Sequence, residues 1–304
     1  MEESWRAGAK RPLVMASLVI VAYLSVEIAG AVVSGSLALL ADAAHTGSDV
    51  AALGLALLAT WAAGKPHTAQ RSFGYLRAEV LSALVNGTAL LAIAVFIFVE
   101  AAQRIAAPPE VRGGIVSIVA SGGLAANLVA AAILLRSSHQ SLNIRGALYH
   151  VLGDAIGSAG AIVGGLLVLL AGWQWADPAV SIFIGLILVY GALKIVREAT
   201  HVLLEGTPAH IPIADLRDDI ESVNMVHGCH DLHTWTITSG YDALSAHVTV
   251  TDECPADCVR DVRGELGRML RSKYGISHVT IQMERTDGDC EEEVHVPGLT
   301  SDLH

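Results

Sequence analysis

The stretch "SLALLADAAHTGSDVAALGLALLATW", Ser36 to Trp61, is apolar enough to cross a membrane, yet it contains Asp42, His45 and Asp49. A spanning helix needs about 20 mostly apolar residues, and an Asp at its centre costs about 2.5–3.5 kcal/mol on insertion scales. Such groups persist in hydrocarbon when something compensates them. His45 and Asp49 are four residues apart and share a helix face, and Asp42, three residues before His45, lies close to that face.

The spacing recurs 105 residues later, where "GALYHVLGDAIGS" carries His150 and Asp154. Counted from Leu37 at 1.5 Å per residue, His45 and Asp49 lie about 12 and 18 Å into their helix. If Leu142 to Arg145 begin the fifth helix, His150 and Asp154 lie roughly 10–18 Å from its opposite edge. Both pairs therefore fall near the middle of a ~30 Å hydrocarbon core. A structural hydrogen bond or a proton relay would account for one such pair. Two pairs at matching depth point to a bound divalent cation, whose charge two carboxylates balance. Two imidazole nitrogens and two carboxylate oxygens supply the four ligands that zinc takes in tetrahedral sites. The absence of thiolate suits zinc or another borderline divalent ion better than Cu(I). Asp42 either holds His45 from behind or caps a local helix feature, and it is left outside the ligand set.

The rest of the chain fits this reading. Of its 304 residues 53% are hydrophobic, in six blocks: Leu13–Val33, Leu37–Ala63, Val80–Ala102, Gly114–Leu135, Gly146–Gly172 and Pro178–Lys194. The first is too long for a signal peptide and lacks a convincing cleavage site. The expected organisation is a six-helix transmembrane domain (1–204), a soluble domain (205–286) and a flexible acidic tail (287–304). Residues 1–204 hold 12 Lys and Arg against 11 Asp and Glu, whereas 205–304 hold 7 against 19. So acidic a C-terminal part argues against nucleic acid. With the N-terminus inside, the inner segments carry Arg6, Lys10, Arg11, Lys65, Arg71, Arg77, Arg136 and Arg145, and the outer loops only Arg104 and Arg112. The positive-inside rule then places both termini in the cytoplasm. Cys229, Cys254, Cys258 and Cys290 all fall in the C-terminal part, where a reducing compartment favours thiols or occasional metal ligands over disulfides. The fold expected there is αββαβ: helix "IPIADLRDDIESV", strands "CHDLHTWTIT" and "DALSAHVTV", a helix over Pro255–Tyr274 and the strand "HVTIQME".

"SLALLADAAH" with Asp49, "YHVLGDAIGS", "RSFGYLRAEVLSALVN", "VLLEGTP", "HDLHTWTITSGYDALSAHV" and "ISHVTIQME" together resemble the cation diffusion facilitators, in particular their zinc/cadmium/cobalt efflux branch and animal zinc-transporter relatives. The resemblance implies a homodimer of six-helix subunits with a metallochaperone-like cytoplasmic domain, exchanging Zn2+ for protons across a bacterial inner or plasma membrane. It makes His45, Asp49, His150 and Asp154 the transport site. It makes His230, His247, His278 and Glu284 a cytoplasmic, regulatory zinc site, and Arg77 with Glu205 a partly buried charge interlock at the membrane edge. Asp231 and His233 are candidates to support the cytoplasmic ligands. The sequence also departs from relatives. Thr68, Arg71 and Tyr75 cannot rebuild a loop zinc site beside His67, the segment Arg136–Arg145 has only His139, and Cys290 lacks a CxxC partner because position 293 is Glu.

Other metals remain open at this level: cobalt, cadmium or manganese. A membrane metalloenzyme is a different class, but the chain has no HExxH and a catalytic zinc keeps an open position. A metal sensor would leave the midplane ligands without a role.

Overall fold

The computed structural model describes residues 2–135 and 142–285. His139, Cys290, Glu293 and the 287–304 tail lie outside the described residues. Six long helices come first: α1 (Glu2–Ser34), α2 (Leu37–Ala63), α3 (Ala78–Ala106), α4 (Gly113–Leu135), α5 (Leu142–Ala171) and α6 (Ala176–Leu203). Among the described residues, five contain a stretch long and apolar enough to cross a membrane. The sixth, α2, is 27 residues long and carries Asp42, His45 and Asp49. Helices are what such sequences must form in lipid, because each backbone N–H and C=O is then satisfied within its own segment.

The chain divides into two compact units, one built from residues up to 61 and from 81 to 197, the other from 62–80 and from 198 onward. In the first, α4 and α5 approach closely through small residues: a Cβ on Gly113 would lie 2.8 Å from Leu169 N and 2.9 Å from Val168 Cβ. Without a hydrophobic drive between helices in lipid, this close backbone packing is what holds the pair. One face of α2 is pinned by Ala38 and Ala41 against Leu90, Ala94 and Ile97 of α3 and Ile184, Leu188 and Ala192 of α6. The start of α2 is capped from α6. Buried Asp177 accepts from Ser36 Oγ, from Leu37 N at 2.8 Å and from Ala38 N at 3.3 Å. A carboxylate there satisfies orphan donors and faces the positive end of the helix dipole.

The second unit contains α7 (Ile213–Glu221), β1 (Val226–Thr238), β2 (Tyr241–Val250), α8 (Ala256–Tyr274) and β3 (His278–Arg285). This is the expected αββαβ order. The sheet runs β1-β2-β3, antiparallel for the first pair and parallel for the second. Alternation on β2 buries Leu244, Ala246, Val248 and Val250. Leu216 and Ile220 of α7 and Val262, Leu266 and Leu270 of α8 close over them at helical spacing. His247 points to the other face of β2 and is partly exposed.

Candidate metal centre

His45 and Asp49 stand 8 and 12 residues into α2, and His150 and Asp154 stand 8 and 12 into α5. Crosswise contacts dominate: His150 Nε2 lies 3.1 Å from Asp49 Oδ2, and His45 Nε2 lies 3.3 Å from Asp154 Oδ1. Within each helix the His–Asp separation is 3.8 Å. The two imidazole rings meet edge to face at 5.9 Å. Asp49, His150 and Asp154 offer ligand atoms that all lie within 4.8 Å of one another. His45 Nδ1 is buried without a hydrogen-bond partner, so Nε2, aimed at both carboxylates, is the ring's interacting atom. Asp49, His150 and Asp154 form the compact group, and His45 stands beside it through its contacts with the two carboxylates, so that each helix contributes one imidazole and one carboxylate.

In the second unit, His230 and His247 face each other across β1 and β2 with ring centroids 5.3 Å apart. Glu284 of β3 reaches both, at 3.3 Å from His230 Nε2 and 2.8 Å from His247 Nδ1. His278 is not brought to this group within one chain. It pairs with Ala243, six residues before Glu284 along β3, or about 20 Å. Its ring instead packs against Phe73 at 5.3 Å and near Tyr241 at 6.4 Å. Asp231 takes a left-handed backbone (φ 48°) at a register shift in β1 and lies 2.9 Å from His233 Nε2 and 3.8 Å from His247 Nε2. A bulge of this kind re-aims side chains.

Two more expectations change. Cys254 and Cys258 are not thiols: they form a disulfide, with Cα atoms 5.4 Å apart. Cys254 precedes α8 and Cys258 lies in its first turn, so one helical turn brings the pair within the 4.4–6.8 Å that a bridge spans. Arg77 and Glu205 do pair, Nη2 to Oε1 at 2.9 Å, but their side chains are 37% and 62% exposed rather than partly buried. An exposed pair contributes about 0.2–1 kcal/mol. Accordingly Arg77→Glu and Glu205→Arg should each cost about that much, and the double swap should recover most of it in a double-mutant cycle on thermal unfolding. A coupling energy of zero would show that the contact does not matter. Free Cys229 is buried beside Glu221, and burial followed by that carboxylate pushes its thiol up to about 11. It therefore stays protonated at neutral pH and is a poor metal ligand. Arg71 stacks on Tyr75 at 4.4 Å, which gives those two loop positions a cation–π role.

Sequence reasoning missed Glu27, the one acid in the first apolar block. It is 2% exposed. A lone carboxylate in a membrane span was the available signal.

The cation efflux transmembrane domain matches residues 13–204, and the cation efflux protein cytoplasmic domain matches residues 208–286. The "Cadmium, cobalt and zinc/H(+)-K(+) antiporter" of Bacillus subtilis is 38% identical over 277 residues, 90% of this chain and 89% of that protein. The "Zinc transporter ZitB" of Escherichia coli is 38% identical over 276 residues, 90% and 87% of the two chains. The "Metal cation efflux system protein CzcD" of Cupriavidus metallidurans is 36% identical over 285 residues, 94% and 89% of the two. A solved structure, "Metal-bound C-terminal domain of the CzcD transporter from Cuprividus metallidurans", is 36% identical and covers 24% of this chain and 99% of that one, at a TM-score of 0.23. The chain belongs to the cation efflux family, the cation diffusion facilitators. It is a multi-pass membrane protein and a metal-cation exporter, not an enzyme, and the metalloenzyme reading falls.

Proposed function

We propose that this protein exports zinc from the cytoplasm in exchange for protons, as a homodimer in a bacterial inner or plasma membrane, with both termini cytoplasmic. Zinc is the cargo. His45, Asp49, His150 and Asp154 bind it, and α2 and α5 present it alternately to the two sides. The observation that carries this reading is the convergence of two His and two Asp from two membrane helices, with no thiolate among them. Ligands of this type bind metal only when deprotonated, so loading releases protons and unloading takes them up. His230, His247 and Glu284 form a second, regulatory zinc site, and His278 belongs to a separate position on the same strand. We assign residues 1–204 to transport, 205–286 to the regulatory domain and 287–304 to an acidic tail. The names of zinc-transporting and antiporting relatives support the cargo and the counter-ion.

The test is zinc uptake by proteoliposomes compared with cadmium, cobalt and manganese. A gradient acidic on the side receiving zinc should drive uptake, and collapsing it should slow the flux. Flux that ignores the gradient would remove proton exchange. Selectivity rests on His45. Zinc accepts mixed imidazole–carboxylate tetrahedra, whereas a third carboxylate suits larger cadmium better than a second imidazole. His45→Asp takes the loaded site from formally neutral to −1 and should narrow the zinc-over-cadmium preference in a competition assay. An unchanged or sharper preference would show that His45 does not set it.

A further inference from the structure

The bond between Cys254 and Cys258 stands in a compartment that keeps thiols reduced. Disulfides found in the cytosol are in the main transient, catalytic or redox-sensing. The surroundings of this one distinguish its two sulfurs. Cys254 is 0% exposed and lies in the core of the second unit, whereas Cys258 is only partly buried at the edge of that core. Cys258 is the third residue of α8, and Pro255, which caps that helix, makes no side-chain hydrogen bond to it. The N–H groups of an uncapped first turn favour a thiolate there. Asp257, the acid of the same turn, is paired with Arg260 at 3.1 Å.

The bond also sits at a junction of all three strands. Cys254 N donates to Thr251 O at 3.0 Å, and Thr251 N donates to Met225 O at 3.0 Å, which ties the end of β2 to the start of β1. From β3, Arg285 Nη2 donates to the Cys254 carbonyl at 3.3 Å. Arg285 pairs with Val250, the last residue of β2, and directly follows Glu284. Glu284 is the residue that meets both His230 and His247. The backbone of Cys254 therefore holds the strand end next to the carboxylate of the cytoplasmic metal group.

We propose that Cys254 and Cys258 form a thiol–disulfide switch that sets the zinc affinity of the His230, His247 and Glu284 site, with a low-molecular-weight cytoplasmic thiol as its reaction partner. This rests on the readings above that place the unit in the cytoplasm and give those three residues to zinc. A thiolate of the partner attacks Sγ of Cys258, the sulfur within reach. The bond between the two cysteines breaks, a mixed disulfide forms on Cys258, and Cys254 leaves as a thiolate that takes up a proton in its apolar surroundings. A second partner thiolate attacks the outer sulfur of the mixed disulfide, and Cys258 leaves as the thiolate favoured at a helix start. Two electrons pass to the cysteine pair, and two partner thiols become one disulfide. The oxidised partner reverses both steps. With the bond in place, Cys254 is fixed against the first turn of α8 and its carbonyl is held where Arg285 meets it, so Glu284 is preorganised for the metal. Reduction frees that turn, and zinc binding must then bear the ordering of the strand end.

The experiment uses the full-length protein in detergent, carrying Asp49→Ala so that zinc binding reports the cytoplasmic site. It is equilibrated with mixtures of reduced and oxidised glutathione, the free thiols are alkylated and located by peptide mass in one portion, and zinc is titrated after buffer exchange in another. Cys254 and Cys258 should pass together from two thiols to one bond. Zinc should bind about tenfold more weakly to the reduced form, the scale on which groups behind the ligands act. Cys258→Ser should show the weaker affinity at every glutathione ratio. Arg285→Met should keep the bond and lose the effect of redox state on zinc. A bond that never forms, or one that reduced glutathione does not open, overturns the proposal. Equal zinc affinity in both redox states overturns it too, and leaves the site reading standing where His247→Ala still abolishes binding. No zinc binding in either state overturns both. One zinc more in the reduced protein than in Cys258→Ser would mean that the thiols ligate metal themselves, which also overturns the switch. The redox comparison on unsubstituted cysteines decides the matter should either variant fail to fold.

Discussion

Asp49→Ala and Asp154→Ala should each abolish zinc uptake by proteoliposomes while leaving a folded protein. Each carboxylate faces an imidazole of the opposite helix, Asp49 at 3.1 Å from His150 and Asp154 at 3.3 Å from His45. Removing either leaves a divalent ion with one balancing charge in a medium that solvates it poorly. Removing one partner of a fully buried charge interaction costs about 3–5 kcal/mol, or about two to almost four orders of magnitude in affinity, and the lower end applies here because Asp49 and His150 are 31% and 49% exposed. Stability should not suffer in proportion, because an empty site loses a costly intramembrane charge when the Asp goes. Zinc titration of the purified variants separates lost binding from lost folding, with size-exclusion profiles as the check. Near-normal uptake by either variant would take this site out of the mechanism.

Asp177→Ala should produce the largest loss of stability. It strands the Leu37 and Ala38 amides and the Ser36 hydroxyl at the start of α2, where water does not reach. An unsatisfied buried donor costs about 1–3 kcal/mol, so about 3 kcal/mol or more is expected in all. Arg104, 3.7 Å from Asp177, keeps its second partner Glu100 at 2.9 Å and adds little to the loss. The apparent Tm in detergent should fall by about 5 °C or more, with Asp177→Asn in between because one oxygen still accepts. Zinc transport should fall as well, since α2 carries His45 and Asp49 and a frayed start lets their register drift. A Tm for Asp177→Ala equal to that of the wild type would mean that the cap does not hold α2.

Much of this was legible in the chain. Apolar runs of spanning length in lipid leave helices as the outcome, and the alternation of "DALSAHVTV" placed His247 opposite Leu244, Ala246 and Val248. Both depend on period and composition alone, which neighbours do not change. The i, i+4 spacing likewise put His45 with Asp49 and His150 with Asp154 on single helix faces. What needed the tertiary structure was the pairing across elements. That His150 meets Asp49 and His45 meets Asp154 depends on the rotation and height of α2 against α5, set by contacts with α3, α4 and α6 far away in the chain. For the same reason His278 could not be separated from His230, His247 and Glu284 by sequence, since only strand register shows it six residues along β3 from Glu284. Glu27 was a lone acid in an apolar block, and only folding showed it buried. Local spacing decided which residues share a face, and only packing decided which faces meet.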